Sequence, residues 1–207
     1  MLYGVCPIAG FCQQATSVSE LLNVKLLPNV HVDKRYHSTN NFCKEVIDGT
    51  SECLLQPIAF EKLKKAATIL EAERPGWKFI VFDAYRPTAV QYKLWNAVKG
   101  TPSSRYVAYP KSVSLHTLGL AIDLSLLDAN GNPVDMGTEY DTFLPLAQPR
   151  FEAQMRAKKL LTEQQYNNRL ILRRIMQRAG FIQLQSEWWH YEALHQKQAH
   201  AKYKPLQ

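Results

Sequence analysis

The run "IAFEKLKKAATILEAERPGWKFIVFDAYRP", residues 58–87, constrains the fold more than any other part of the chain. Residues 58–73 set Phe60, Leu63, Ala67 and Leu70 on one face at helical spacing, which predicts an amphipathic helix. Pro75 and Gly76 end it. Residues 78–85, "KFIVFDAY", then read as a buried strand closed by Arg86 and Pro87. Both elements need a core. A chain of 207 residues, 46% hydrophobic and 21% charged, is long enough and ordinary enough to bury one.

The remaining pattern extends this unit. Residues 88–99, "TAVQYKLWNAVK", predict a second helix with Thr88 as its cap. "LAIDLSLL" (120–127) alternates and carries β-branched residues, so it predicts a second strand, and "DANGNPVD" (128–135) is a turn cluster. Residues 162–179 predict a third helix: Thr162 and Gln165 fit a capping box, and Gly180 fits the stop. "GFIQLQSEWWHYEAL" (180–194) reads as a third strand, while residues 16–50 look irregular. Helices precede strands without a regular βαβ rhythm. The expected fold is therefore α+β, a small, mainly antiparallel sheet with flanking helices. Residues 1–30 are expected to form an N-terminal extension and residues 31–207 a single domain.

The net charge of +7 raises the question of a polyanionic partner. The basic groups are short, however: "KLKK" (62–65), "RAKK" (156–159) and "RLILRR" (169–174) read as solvated helix faces. No helix-turn-helix or RNP-like motif accompanies them, so no nucleic-acid partner is expected. No apolar run reaches the eighteen residues or so of a membrane span. Cys6, Cys12, Cys43 and Cys53 all lie in the first quarter and none forms a CxxC pair. In an oxidising compartment, Cys6/Cys12 and Cys43/Cys53 would be the economical disulfides. The N-terminus lacks a basic region before its apolar residues and is a poor signal peptide. Cytoplasm and periplasm both stay open, as does the oligomeric state.

Chemistry concentrates in three stretches. "SLHTLGLAID" (114–123) holds His116 and Asp123, each ordinary when taken alone. "EWWH" (187–190) holds Glu187 and His190, which a regular strand would send to opposite faces. For both to serve one site, the backbone must turn there. Together His116, Asp123 and His190 make a two-His, one-carboxylate set, sufficient for a catalytic zinc with a fourth position left for water. Glu187 is then a spare carboxylate able to take a proton from that water. "FDAYRP" (82–87) supplies Arg86, read either as a turn residue paired with Asp83 or as a guanidinium stabilising an oxyanion. HExxH is absent.

In this order the three stretches resemble the D-alanyl-D-alanine dipeptidases. "DKRYHSTNNF" (33–42) and "PVDMGTEYDTF" (133–143) are similar to further segments of that family, so the likeness runs from about residue 33 to 192. The resemblance implies the fold shared by D-Ala-D-Ala metallopeptidases and hedgehog signalling domains. It implies one zinc per chain, held by His116, Asp123 and His190. It also implies Glu187 as general base, Arg86 as transition-state stabiliser, and Ser114, Tyr109 and Asp141 at the substrate, a small dipeptide. A carboxypeptidase acting on peptidoglycan stem peptides, or a non-catalytic zinc or cell-wall binding module, are the rival readings.

Overall fold

The computed structural model describes residue 14 and residues 16–206. Three short strands, β1 (Leu22–Asn23), β2 (Val30–Val32) and β3 (Leu54–Leu55), precede the first helix, α1 (Pro57–Glu73). Pro57 stands at the start of α1, where its fixed φ suits a helix and its missing N–H costs nothing. The helix buries Phe60, Leu63, Ala67 and Leu70, the face read from the periodicity, together with Ala59 and Ala66. Next come β4 (Lys78–Asp83), α2 (Thr88–Val98) and β5 (Ala121–Leu127). Then follow α3 (Glu152–Ala157), α4 (Glu163–Arg178), β6 (Ile182–Gln183), β7 (His190–Glu192) and α5 (Gln196–Lys202).

Five strands form one sheet in the order β2-β4-β5-β7-β6. Only the β2–β4 pair is parallel; β4–β5, β5–β7 and β6–β7 are antiparallel. The fold is thus α+β with a mainly antiparallel sheet, as the pattern predicts. All seven residues of β5 are buried, which fits a strand with neighbours on both edges. β1 and β3 pair separately as a two-stranded ribbon. Leu21, Val24 and Leu27 are buried, so the described chain before residue 31 lies on the surface of the domain and sends these three side chains into its interior.

Four expectations are corrected. The stretch from residue 180 to 194 is not one strand but the hairpin β6–β7, with residues 184–189 turning between them. Residues 16–50 are not wholly irregular, because β2 runs beside β4 with Val30 opposite Phe79 and Val32 opposite Val81. Thr88 is the first residue of α2 and Pro87 precedes it without a side-chain cap, whereas the capping box of Thr162 and Gln165 does start α4. Cys43 and Cys53 are free thiols, so the disulfide considered for them is not formed; Cys6 and Cys12 lie outside the described residues.

The basic run of α4 also departs from a solvated face. Arg169 is 1% exposed and donates to the carbonyls of Met136 (2.7 Å) and Leu146 (3.0 Å). Arg173 grips both oxygens of buried Glu152, at 2.8 and 2.6 Å. Arg174 and Arg178 pair with Glu73 and so join α4 to α1. These arginines bond backbone carbonyls of an irregular segment and carboxylates distant in sequence, which no local pattern shows. Removing the acceptor should therefore hurt. Glu152→Ala leaves two arginine heads short of a carboxylate and should cost about 3–5 kcal/mol in urea denaturation. Glu163→Ala, which breaks the exposed pair with Arg156, should cost no more than about 1 kcal/mol.

Candidate metal centre

Asp123 sits directly opposite Asp83 of β4 on one side and opposite His190 of β7 on the other. A register shift between Val81 and Asp83 turns the end of β4 toward this row. His116 arrives from the short 3-10 turn Leu115–Leu118 just before β5. Ser114 begins that turn, its Oγ accepting from the His116 N–H. Gly119 closes it at φ 69, a left-handed position where an added Cβ would lie 3.3 Å from the Gln56 nitrogen.

The three side chains converge. Asp123 Oδ1 lies 2.9 Å from His190 Nδ1 and 3.3 Å from His116 Nε2, and the two histidine nitrogens are 3.1 Å apart. Four-coordinate zinc with bonds of about 2.0–2.1 Å spaces its donors about 3.3 Å apart. The triangle is therefore close to one face of a zinc tetrahedron, and the donor set fits the metal. Among the described residues this is the one His/Cys/Asp/Glu group able to hold an ion.

Each ligand is held from behind. His116 donates from Nδ1 to the Ala84 carbonyl at 2.7 Å, which leaves the Nε2 lone pair facing inward. Tyr140 donates its hydroxyl to Asp123 Oδ2 at 3.0 Å. Glu192 lies two residues along β7 from His190, hence on the same face, with its carboxylate 3.7 Å from Nε2. Burial opposes ionisation of Asp123, but His116 and His190 outweigh it and hold the carboxyl below its ordinary range. For His190 burial disfavours charge, yet the hydrogen bond to Asp123 and the nearby carboxylates of Glu192 and Glu187 push it up to about 10.

Glu187 stands on the turn before β7, and that turn lets it reach the same site as His190, with 3.9 Å between its Oε2 and Nδ1. Burial, aided by the charges of Asp123 and Glu192 and opposed by His190 and Arg86, raises it to about 7. Arg86 follows β4 and is 8% exposed. Asp83 takes its Nε (2.8 Å) and one Nη (2.6 Å), and Gln91 accepts from the other Nη (2.8 Å). The turn pairing with Asp83 is thus present, and it aims the guanidinium at the site, 3.9 Å from Asp123 Oδ2.

A cavity of about 230 Å3 opens over these groups, lined among others by Arg86, Ser114, Asp141, Glu187 and Trp189. Asp141 accepts from Tyr36 OH, at 3.2 and 3.1 Å to its two oxygens. Burial, with the charges of Asp123 and Glu187, pushes Asp141 well above the usual carboxylate range. Tyr109 is 46% exposed, packs edge-on against Trp95 and is not part of the lining; Tyr106 is. Of the tryptophan pair, Trp189 faces the cavity, whereas Trp188 turns to Thr138. Sequence reasoning missed Tyr36, Tyr140, Gln91 and Glu192. Only Glu192 left a local signal, its two-residue spacing from His190.

A family model described as D-ala-D-ala dipeptidase matches residues 17–205. The chain is 32% identical over 178 residues to the D-alanyl-D-alanine dipeptidase of Escherichia coli strain K12, across 86% of either chain. It is 31% identical over 173 residues to the D-alanyl-D-alanine dipeptidase of a Synechocystis strain, covering 69% of this chain and 70% of that one. A D-alanyl-D-alanine dipeptidase of Enterococcus faecalis is 27% identical over 186 residues.

The protonation of His190 makes metal uptake pH-dependent. With its metal-free pKa near 10, the imidazole carries a proton at neutral pH that a metal must displace. Zinc affinity should therefore rise as pH increases toward 10, about tenfold per unit for this proton. Calorimetric titration of the metal-free protein in two buffers of different ionisation enthalpy should count at least one proton released per zinc.

Proposed function

The chain belongs to the family of D-alanyl-D-alanine dipeptidases, and on that footing we propose that it hydrolyses the dipeptide D-Ala-D-Ala to free D-alanine. One observation carries the reading: the nearly tetrahedral face formed by His116, Asp123 and His190 has a carboxylate and a guanidinium beside it, Glu187 3.9 Å from His190 Nδ1 and Arg86 3.9 Å from the outer oxygen of Asp123. Zinc held by these three residues supplies Lewis acidity, lowering the pKa of water and polarising a carbonyl.

Glu187 accepts the proton of the attacking water and hands it to the leaving amine nitrogen. A carboxylate raised toward neutrality suits both transfers, because its two protonation states then lie close in free energy. Arg86 has five N–H donors, of which Asp83 and Gln91 take three, and the others serve the oxyanion that develops on the scissile carbonyl. Asp141, held by Tyr36, receives the substrate ammonium, whose positive charge favours the ionised carboxylate that burial disfavours. Ser114 stands on the cavity wall beside His116. Tyr109, outside that wall, receives no part in the reading. The cavity, at about 230 Å3, is below the range of about 300–1,000 Å3 usual for drug-sized ligands and suits a short peptide.

Glu187→Gln keeps the shape and removes the base. It should bind zinc normally and lose about 10²–10⁴ in kcat. In the parent enzyme kcat/KM should fall as pH drops through the Glu187 pKa. That value lies at or below 7 once the metal's positive charge is present, and the acid limb should vanish in the variant. Loss of zinc in Glu187→Gln would instead make Glu187 a ligand.

Substrate length gives the second test. Only a dipeptide presents an ammonium next to the scissile bond, and only that ammonium makes a charge-assisted hydrogen bond with Asp141. D-Ala-D-Ala should be cleaved at least about a hundredfold better than a pentapeptide ending in D-Ala-D-Ala. Asp141→Asn should shrink that ratio by impairing the dipeptide. Equal kcat/KM for both substrates would favour a carboxypeptidase, and no turnover of either by the zinc-loaded protein would favour a binding module.

A further inference from the structure

Val113 holds an unusual backbone. Its φ is 51 and its ψ is 93, outside the regions a β-branched residue adopts without strain. Its position is also consequential. Ser112, Val113 and Ser114 all line the cavity, and Ser114 starts the turn that carries His116. Such a conformation persists where neighbours hold it. Two short-range bonds act from its own side, Ser112 N–H to the Tyr109 carbonyl (2.9 Å) and Val113 N–H to the Pro110 carbonyl (3.4 Å). The long-range one comes from the other end of the sequence. His200 of α5 reaches the Val113 carbonyl with Nε2 at 2.9 Å. The acceptor is a carbonyl, so Nε2 carries the hydrogen and donates it. α5 itself is fixed independently by Ala199, fully buried, and Tyr203, 8% exposed.

We propose that His200 is a positioning residue for substrate binding, pinning the strained Val113 so that the Ser112–Ser114 wall keeps its place in the cavity. The effect belongs to the wall and not to the metal. His116 is tied separately, by its Nδ1–H to the Ala84 carbonyl and by its own carbonyl to the Arg86 N–H at 3.0 Å. Loss of His200 therefore leaves the ligand triangle standing and lets the adjoining wall relax.

The proposal rests on D-Ala-D-Ala hydrolysis for its kinetic arm alone, and hydrogen exchange tests it without any substrate. In zinc-loaded full-length His200→Ala, the Ser112 and Val113 amides should exchange faster than in the parent, while zinc affinity stays within about twofold. KM for D-Ala-D-Ala should rise about two- to fourfold with kcat little changed, the scale of one solvent-accessible hydrogen bond. His200→Gln, which keeps a donor, should recover part of the loss. In a Val113→Gly background, where the left-handed backbone is unstrained, His200→Ala should no longer alter KM or exchange. Unchanged exchange at Ser112 and Val113 in His200→Ala would overturn the proposal, as would an equal penalty in both backgrounds or loss of zinc. If the parent fails to cleave D-Ala-D-Ala, the functional reading falls and the exchange comparison alone decides the role of His200.

Discussion

A carboxylate in the middle of a fully buried strand is the constraint on which the structure turns. Asp123 lies on β5 with apolar neighbours on either side, and a lone buried charge there would be prohibitive. It is sustained because groups from four other parts of the chain meet it. β7 brings His190, the turn before β5 brings His116, the segment after the turn cluster brings the Tyr140 hydroxyl, and the end of β4 brings Arg86. Sheet order and site are thus one arrangement. Without β4 and β7 on its two edges, β5 could not carry its acid.

Much of this was legible in the chain. Periodicity found α1, and the capping box with Gly180 found α4, whereas α2 was placed although Thr88 is its first residue and not its cap. Alternation and an apolar run found β5 and β4. A candidate metal group was legible because metal chemistry restricts residue types so strongly: two histidines, an aspartate and a spare glutamate make a set with few other uses, and the structure brings His116, Asp123 and His190 together. The rest was hidden for physical reasons. β2 spans three residues and exists only through its pairing with β4. The bend that brings Glu187 beside His190 interrupts a sequence rich in strand formers, and it shows only as the need to bring two residues of opposite parity to one place. The burial of Arg169 depends on carbonyls that local sequence does not reveal. Tyr36 and Tyr140 act through partners more than ten residues away, and no spacing betrays such a contact.

Rigid and adaptable parts are divided in a way that suits a hydrolase. The candidate metal ligands stand on or next to the sheet, which fixes them. The cavity walls come from irregular chain: Phe42, Tyr106 and Phe143 meet there from three separate loops, Tyr106 stacked on Phe143 with ring centres 5.1 Å apart. Behind this wall Gln148 donates to the Tyr106 hydroxyl at 3.0 Å, just ahead of buried Glu152 in the sequence. The arginines of α4 therefore brace, from outside the cavity, the segment from which part of the wall is built.

The order of the strands in the chain also bears on how the molecule is made. β5 must wait for β7, and His116 meets His190 across a sequence separation of 74 residues. A nascent chain leaving the ribosome can form α1 and the β4–β5 pair early, but no stretch of it holds the third donor until residue 190 has emerged. Closing so long a loop is slow and entropically opposed, and metal capture stabilises only what has already closed. Uptake of an ion at this candidate site would in this sense be a final inspection of the completed chain, passed only by a molecule whose last hairpin has docked.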